Sequence, residues 1–523
     1  MPTRFLAAVA AALALVAGPA IASQPMGFDE ARHLLVRTGF GPTDAEVRQF
    51  AGMTRERAVA QLLRDVRTAA VTAPPVWVSD SAPPRYPRSG TATEEERKAF
   101  TRQWIREGLE LRAWWVQEML STPSPLTERM TLFWHNHFVS GQQKVRFGRL
   151  MYAQNATLRA NALGSFATLL HAASKEPAML IYLDVAQSRK GQPNENFARE
   201  VMELFTLGEG QYTEQDIKEA ARAFTGWSLD RDTGQYLFRP GIHDTGVKTV
   251  LGRSGRFDGD AVLDVILAKP QTSEYITAKL WREFVSADPD PREVKRIAQV
   301  FRDQDYDVKA ALRGLLLSDA FWAPDNRGTL VKSPVELVVG TLRQLEVAPG
   351  AALPFAVASA GMGQSLFAPP NVKGWPGGET WINSNTLLAR KQFLDRLART
   401  DDAPPPTAMT AMTDAQGSRT ASEFMPAQQR VPKAAVAPQG APDEDKMRAQ
   451  RFVQQVDRGL RNVQFDAAQW VARRPGTTPE AKLRAAQALL LPLAPVTADR
   501  PHGDIDAVAF VRATLLDPAY QLK

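Results

Sequence analysis

Hydrophobic positions recur at helical spacing along most of this chain. Phe28, Ala31 and Leu35 predict a short helix over 28–37, with His33 beside them and Gly39 as its stop. Pro42-Thr43 opens a second helix, and Ala58, Val59, Leu62 and Leu63 mark one side of a third over 57–65. Residues 71–91 are rich in Pro and Ser and predict a surface loop. A long amphipathic helix follows over 95–120, with Phe100, Trp104, Leu111, Trp115 and Met119 inward. Helices of this kind continue to about residue 398 and resume over 446–473 and 479–491. Thr213 with Asp216, Ser333 followed by Pro334, and Asp258 before Gly259 each read as a helix start. The region 227–251 is different. Residues 227–229, 235–239 and 248–251 cluster like short strands between Asp/Thr/Gly turns, which predicts a small β-hairpin on the helical body. The fold class expected is therefore mainly α: a multi-helix globular bundle with a β-hairpin insertion, a linker and a C-terminal helical segment.

The N-terminus divides the chain further. Arg4 precedes an apolar run from Phe5 to Ala17, and Ala20-Ile21-Ala22 supplies a small-x-small cleavage pattern. The run is too short for the roughly 20 apolar residues that span a bilayer. Residues 1–22 are thus expected to be a cleaved signal peptide, and the mature protein to be periplasmic or secreted. No later stretch predicts a membrane span. Residues 23–400 form the expected main domain. Residues 401–445, with Pro-Pro-Pro and few large apolar groups, predict a disordered linker or insertion. Residues 446–523 form the expected C-terminal segment.

Composition narrows the chemistry. The chain holds 63 basic and 57 acidic residues spread along its length, a mixed surface and not the clustered charge of a nucleic-acid partner. It has no cysteine, which excludes haem attachment through C-x-x-C-H, iron–sulfur clusters and thiol catalysis. A metal site would need His, Asp, Glu or Asn, and there are six histidines.

Four segments carry candidate chemistry. In 126–138, Leu126, Met130, Phe133 and His137 share one helical face, and His135 lies about 200° away at ~3.6 residues per turn. The two histidines cannot share a metal in a regular helix, only if the helix ends at His135 and the chain becomes extended; both are catalytic candidates, and His137 reads otherwise as a core histidine with a satisfied hydrogen bond. In 194–208, Pro193 and Asn194 start a helix and Gly208 ends it. Phe197, Val201, Leu204 and Phe205 form an apolar face, and Asn196, Glu200 and Glu203 form a polar one. Glu195 and Arg199 stand at the favourable i,i+4 spacing for an ion pair. Two carboxylates and an amide on one face suit a divalent metal ion or acid–base work, or else a solvated face or an Arg–Glu brace. His243-Asp244, in the loop after the hairpin, is a further candidate metal-ligand pair, with Glu200 as a third ligand. The Gly/Pro-rich loop 366–385 holds Trp375, Trp381 and Asn383, which suit stacking on a sugar ring or plugging of the core.

These segments together resemble one bacterial family. The resemblance rests on F-D-E-A-R-H-L-L-x-R-x-G-F-G at 28–41, F-W-H-N-H-F at 133–138 and N-E-N-F-A-R-E-x-M-E-L-F-T-L-G at 194–208. It continues with Y-T-E-x-D-I-x-E-A-A-R-A-F-T-G-W at 212–227 and P-P-N-V-x-G-W-x-G-G at 369–378. The chain resembles the family of domain of unknown function 1800 over about 28–398, while the tail beyond matches no pattern and 401–445 reads as particular to this chain. The resemblance implies an exported bacterial protein and carries over no established activity. It also implies a partner, a second exported family similar to alkaline phosphatases and sulfatases. The motif positions are His135, Asn136, His137, Asn194, Glu195, Asn196, Arg199, Glu200, Glu203, His243, Asp244 and Trp375. Two functions remain in competition. One is a hydrolase-like enzyme acting on an envelope or extracellular substrate, with Glu200, Glu203, His135, His137 and Arg199 as catalytic candidates, Asn194, Asn196, Trp375, Trp381 and Asn383 as binding candidates, and an unidentified divalent metal as candidate cofactor. The other is a non-catalytic scaffold or partner of the phosphatase-like protein.

Overall fold

Helix signals in the sequence become helices in the protein. The computed structural model describes residues 24–80, 86–87, 90–230, 232–399, 443–498 and 505–523. The expected signal peptide over 1–22 and nearly all of the 401–445 linker lie outside the described residues. Gly27–Thr38 is the first helix, and Thr43 caps the second, Asp44–Ala51, through a reciprocal box with Glu46. Glu94–Ser121 buries Leu111, Trp115 and Met119 as its spacing requires, although Phe100 and Trp104 are only half-buried. Thr213 with Asp216 and Ser333 with Glu336 form capping boxes on Glu214–Ala223 and Pro334–Gln344, and Asp258 caps Gly259–Leu267.

The β-region holds two hairpins where one was expected. Trp227–Leu229 pairs with Tyr236–Phe238, and Lys248–Val250 pairs forward with Arg253–Gly255. The cause is the turn Leu251-Gly252, with φ of +50° and +81°. Both central residues are left-handed, as a tight two-residue hairpin turn demands. The strand Arg253–Gly255 has no apolar pattern, so nothing in the sequence marked it.

The C-terminal helices pack onto the main body instead of standing apart from it. Ala507–Leu516 packs on Ser384–Ala398. The last residues return to the helix Pro334–Gln344: Lys332 N–H donates to Gln521 O at 2.8 Å and Lys523 N–H to Leu330 O at 2.8 Å. Below this pairing lies a buried ionic cluster. Arg129, 2 % exposed, binds Glu283 at 2.5 Å and also Glu336, which accepts in turn from Lys523 at 2.5 Å. A second buried pair, Glu128 with Arg159, joins the Pro125–His137 helix to Gly148–Asn161. Among the described residues no helix is long and apolar enough to cross a membrane.

Candidate functional site

The site is built around Pro125–His137. Its two histidines were expected on opposite faces, His137 with the apolar stripe and His135 about 200° away. Both are buried, because helices and loops cover this element on every side. His135 meets the rings of Trp115, Phe367 and Trp375. Its Nε2 accepts the Phe367 N–H at 3.2 Å. Phe367 has φ of +60°, a rare conformation for a bulky residue, and the surrounding contacts hold it there: His135 takes its N–H and Gln142 N–H donates to its carbonyl at 2.8 Å. Burial lowers the His135 pKa to about 3, so the ring stays neutral.

Asn136 holds the next turn of the same loop. Its Oδ1 accepts from Trp375 N–H at 2.7 Å and its Nδ2 donates to Trp375 O at 3.1 Å. Gly374, at φ +80°, lies so close that a Cβ would stand 2.7 Å from the Asn136 carbonyl oxygen. Only glycine meets both demands there. The His135-Asn136 dipeptide is thus the anchor of the 366–378 loop.

His137 faces the opposite partner. The 194–208 segment is α-helical only over Glu195–Glu200, after Asn194 caps it, and then widens into a π-helical turn over Val201–Thr206. Thr206 Oγ1 donates to Val201 O at 2.5 Å, and Leu207 N–H reaches Met202 O at 2.9 Å. The terminal carbonyls find side-chain donors: Tyr275 OH donates to Leu204 O at 3.1 Å, and His137 Nε2 lies 3.0 Å from Phe205 O. A carbonyl only accepts, so Nε2 carries the proton and Nδ1 keeps a bare lone pair. That Nδ1 is buried with no hydrogen-bond partner. Burial, then the nearby Lys279 ammonium, hold the His137 pKa well below its usual value, so the lone pair is retained at neutral pH.

His137 lines a cavity of about 410 Å³. The helix Pro125–His137 forms one wall, Pro270–Phe284 another, and residues 330–336 and 373–381 close it. Phe133, Trp375 and Trp381 contribute apolar surface, and Arg129, Lys279, Arg282, Lys373 and Lys523 contribute cations against Glu283 and Glu336. Trp375 and Trp381 are largely buried and yet line this space.

Neither Glu200 nor Glu203 lines the cavity, but Lys373 of its wall reaches outward, its Nζ 3.9 Å from Glu203 and 3.5 Å from Glu209. Glu203 also accepts from Tyr212 OH at 2.9 Å. Glu200 is half-buried and has no hydrogen bond or ion pair with any described residue. Its pKa is raised, chiefly by burial and then by Glu203, with Lys373 and Arg199 opposing.

The other candidates are placed elsewhere. Arg199 grips Glu214 through two bonds of 2.7 and 2.8 Å, with Glu195 a looser partner at 3.6 Å. His243 Nδ1 lies 2.8 Å from Thr225 O. Asp244 is paired with Arg222 at 2.9 and 3.2 Å, which lowers its pKa to about 2. These contacts fasten the hairpin region to Glu214–Ala223. Asn194 and Asn383 cap helices, and Asn196 is exposed. Among the described residues no group of three or more His, Asp or Glu is arranged to hold a metal ion, so His243, Asp244 and Glu200 are not gathered into one centre.

The residues that sequence reasoning missed are Arg129, Lys279, Arg282 and Lys373. Lys279 and Arg282 stand on an ordinary amphipathic helix, where charge normally marks a solvated face. Lys373 lies inside the loop block already singled out, between Val372 and Gly374.

Fold and site together define a mainly helical protein in which two of the motifs, 133–138 and 369–378, line one polar cavity. The chain belongs to the family described as "Protein of unknown function (DUF1800)", whose model matches residues 33–521. The match runs well past residue 398, so the tail is part of the family's extent, as its packing on the main body also suggests. No curated protein and no solved structure matches the chain.

Proposed function

We propose that the chain is an exported hydrolase-like enzyme acting on an envelope or extracellular substrate that enters the cavity beside His137. The observation carrying this reading is the His137 Nδ1 lone pair: buried, unpartnered, and on a residue lining a cavity of ligand size. Buried acceptors are almost always satisfied, and a specific exception calls for an explanation such as a missing ligand. In this reading the wall beside His137 shifts as the substrate enters, and Nδ1, otherwise closed to solvent, accepts a hydrogen bond from it. Glu200, whose pKa is raised by burial and then by Glu203, gives its proton to the leaving oxygen as the scissile bond breaks. The carboxylate left behind takes a proton from the attacking water, whose hydroxide completes the hydrolysis. Glu203, steadied by Tyr212 and Lys373, keeps the Glu200 pKa high. Acid–base chemistry is preferred to a Glu200/His243/Asp244 metal centre because Asp244 is committed to Arg222 and the three are not gathered into one group among the described residues.

A broad substrate screen with wild-type and Glu200→Gln chains tests the reading, with elemental analysis of the purified protein alongside. Glu200→Gln should abolish turnover while leaving stability unchanged or slightly raised, since a carboxylate that resists ionisation is removed. Retained turnover would refute the role of Glu200.

A second reading has its own support. Arg199–Glu214 and Arg222–Asp244 commit several motif charges to bracing, as expected of a non-catalytic scaffold for a phosphatase- or sulfatase-like exported partner. A clean screen together with stable co-purification of such a partner would favour it.

A further inference from the structure

Resting on the reading above, we infer that the cavity takes an acidic carbohydrate: a sugar ring carrying a carboxylate, phosphate or sulfate that Lys279 and Arg282 receive. The two carboxylates of the cavity wall are already committed. Glu283 and Glu336 bind Arg129, and Glu336 also binds Lys523. Lys279 and Arg282, three residues apart on Pro270–Phe284, have no counter-charge among the described residues. Lys279 is half-buried, with its ammonium 5.5 Å from the Tyr275 ring centre. An ammonium withdrawn from water without an anion is costly. Burial and then Arg282 push the Lys279 pKa down to about 8, a like-charge strain that a bound anion would relieve.

Two buried polar atoms on the other wall, Pro125–His137, are also unpaired: the His137 Nδ1 acceptor and the Arg129 Nε donor, each on a residue 2 % exposed. Both are closed to solvent, and a shift of this wall on binding would offer an acceptor to a hydroxyl and a donor to an oxygen. An inorganic anion alone would satisfy the cations and leave the surface of Phe133, Trp375 and Trp381 uncovered. A space of about 410 Å³ holds a ring as well. A sugar acid combines the anionic group, hydroxyls for the orphan atoms and an apolar ring face for the tryptophans.

The test is calorimetric titration of the mature full chain with glucuronate, glucose 6-phosphate, glucose, inorganic phosphate and AMP. The two sugar acids should bind, more weakly as salt rises. Glucose should not bind, and phosphate should bind more weakly than glucose 6-phosphate. Lys279→Met and the more exposed Arg282→Gln should each weaken sugar-acid binding at least tenfold, or about 1.4 kcal/mol. Glu195→Gln, away from the cavity, should leave it unchanged. Sugar-acid binding without any turnover would sustain this inference and remove the enzymatic reading. Turnover of neutral and acidic glycosides with equal KM, insensitive to Lys279→Met, would do the reverse. Failure of the sugar acids to bind, or binding of glucose or AMP at equal strength, would overturn the inference.

Discussion

Replacing Glu128 by Gln separates a structural carboxylate from a functional one. Glu128 and Arg159 are 1 % and 2 % exposed at their side chains, with Arg159 Nε–Oε1 at 2.5 Å and Nη2–Oε2 at 2.9 Å. Trp115 Nε1 donates to the same carboxylate at 2.8 Å. Gln keeps the volume and one acceptor oxygen. It removes the charge and turns an amide NH₂ toward donors that need an acceptor. Arg159 then has only the Trp114 ring, 5.2 Å away, to offset its charge. A buried ion left alone in this way costs about 3–5 kcal/mol. Guanidinium unfolding of the mature chain should show that loss as a lower midpoint with an unchanged slope. Removing both partners tests the cause. Glu128→Gln with Arg159→Met abolishes the stranded charge, so the double variant should recover at least ~2 kcal/mol relative to additivity. A single-variant loss below ~1 kcal/mol, or an additive double variant, would refute the argument. Glu200→Gln provides the contrast, because no arginine depends on Glu200.

Two further outcomes follow from the same geometry. His33, His135 and His137 are buried and neutral, the first two with pKa values near 3 against 6.5 in the unfolded chain, so the unfolded state gains protons first and stability should fall as pH drops from about 6.5; an unfolding midpoint constant between pH 7 and 5 would contradict this. Gly374→Ala should cost at least ~2 kcal/mol, combining ~1–2 kcal/mol of backbone strain with a clash on Asn136, whereas Gly191→Ala, at φ +81° with nothing within 4 Å of its Cβ, should cost the backbone part alone; equal unfolding midpoints for the two variants would remove the Asn136 contact from the explanation.

Much of the architecture was legible because local signals and global fold agree. Thr213 with Asp216, Ser333 before Pro334, and Asp258 satisfy orphan N–H groups wherever the helix goes next, so their reading needs no tertiary knowledge. His135 was not legible in this way. Its burial depends on the Phe367–Trp375 loop, more than 230 positions away, wrapping the polar side of its helix. The polar face of Glu200 and Glu203 was readable from periodicity, but the π-helical widening was not, because its cause is the pair of donors His137 and Tyr275 that come from other helices. Arg199 was read with Glu195 four residues away, whereas Glu214 on the next helix offers both carboxylate oxygens. Lys279 and Arg282 escaped notice because an unpaired cation is visible only once every neighbour has been placed.

The widened turn at Val201–Thr206 fixes the length of its segment as well as its composition. A π-helical turn accommodates one residue more than an α-helix would. A chain shortened by one residue here could close the ordinary α-helical ladder and improve its local hydrogen bonding. The flanking residues would keep nearly their present orientation, while the carbonyls within the turn would be re-aimed. The Phe205 carbonyl would turn away from His137, and the imidazole would lose the contact that sets which nitrogen bears its proton. The extra residue therefore acts as a spacer that selects a tautomer, and insertions or deletions between Glu200 and Gly208 should be far less tolerable than substitutions at Asn196 or Glu209.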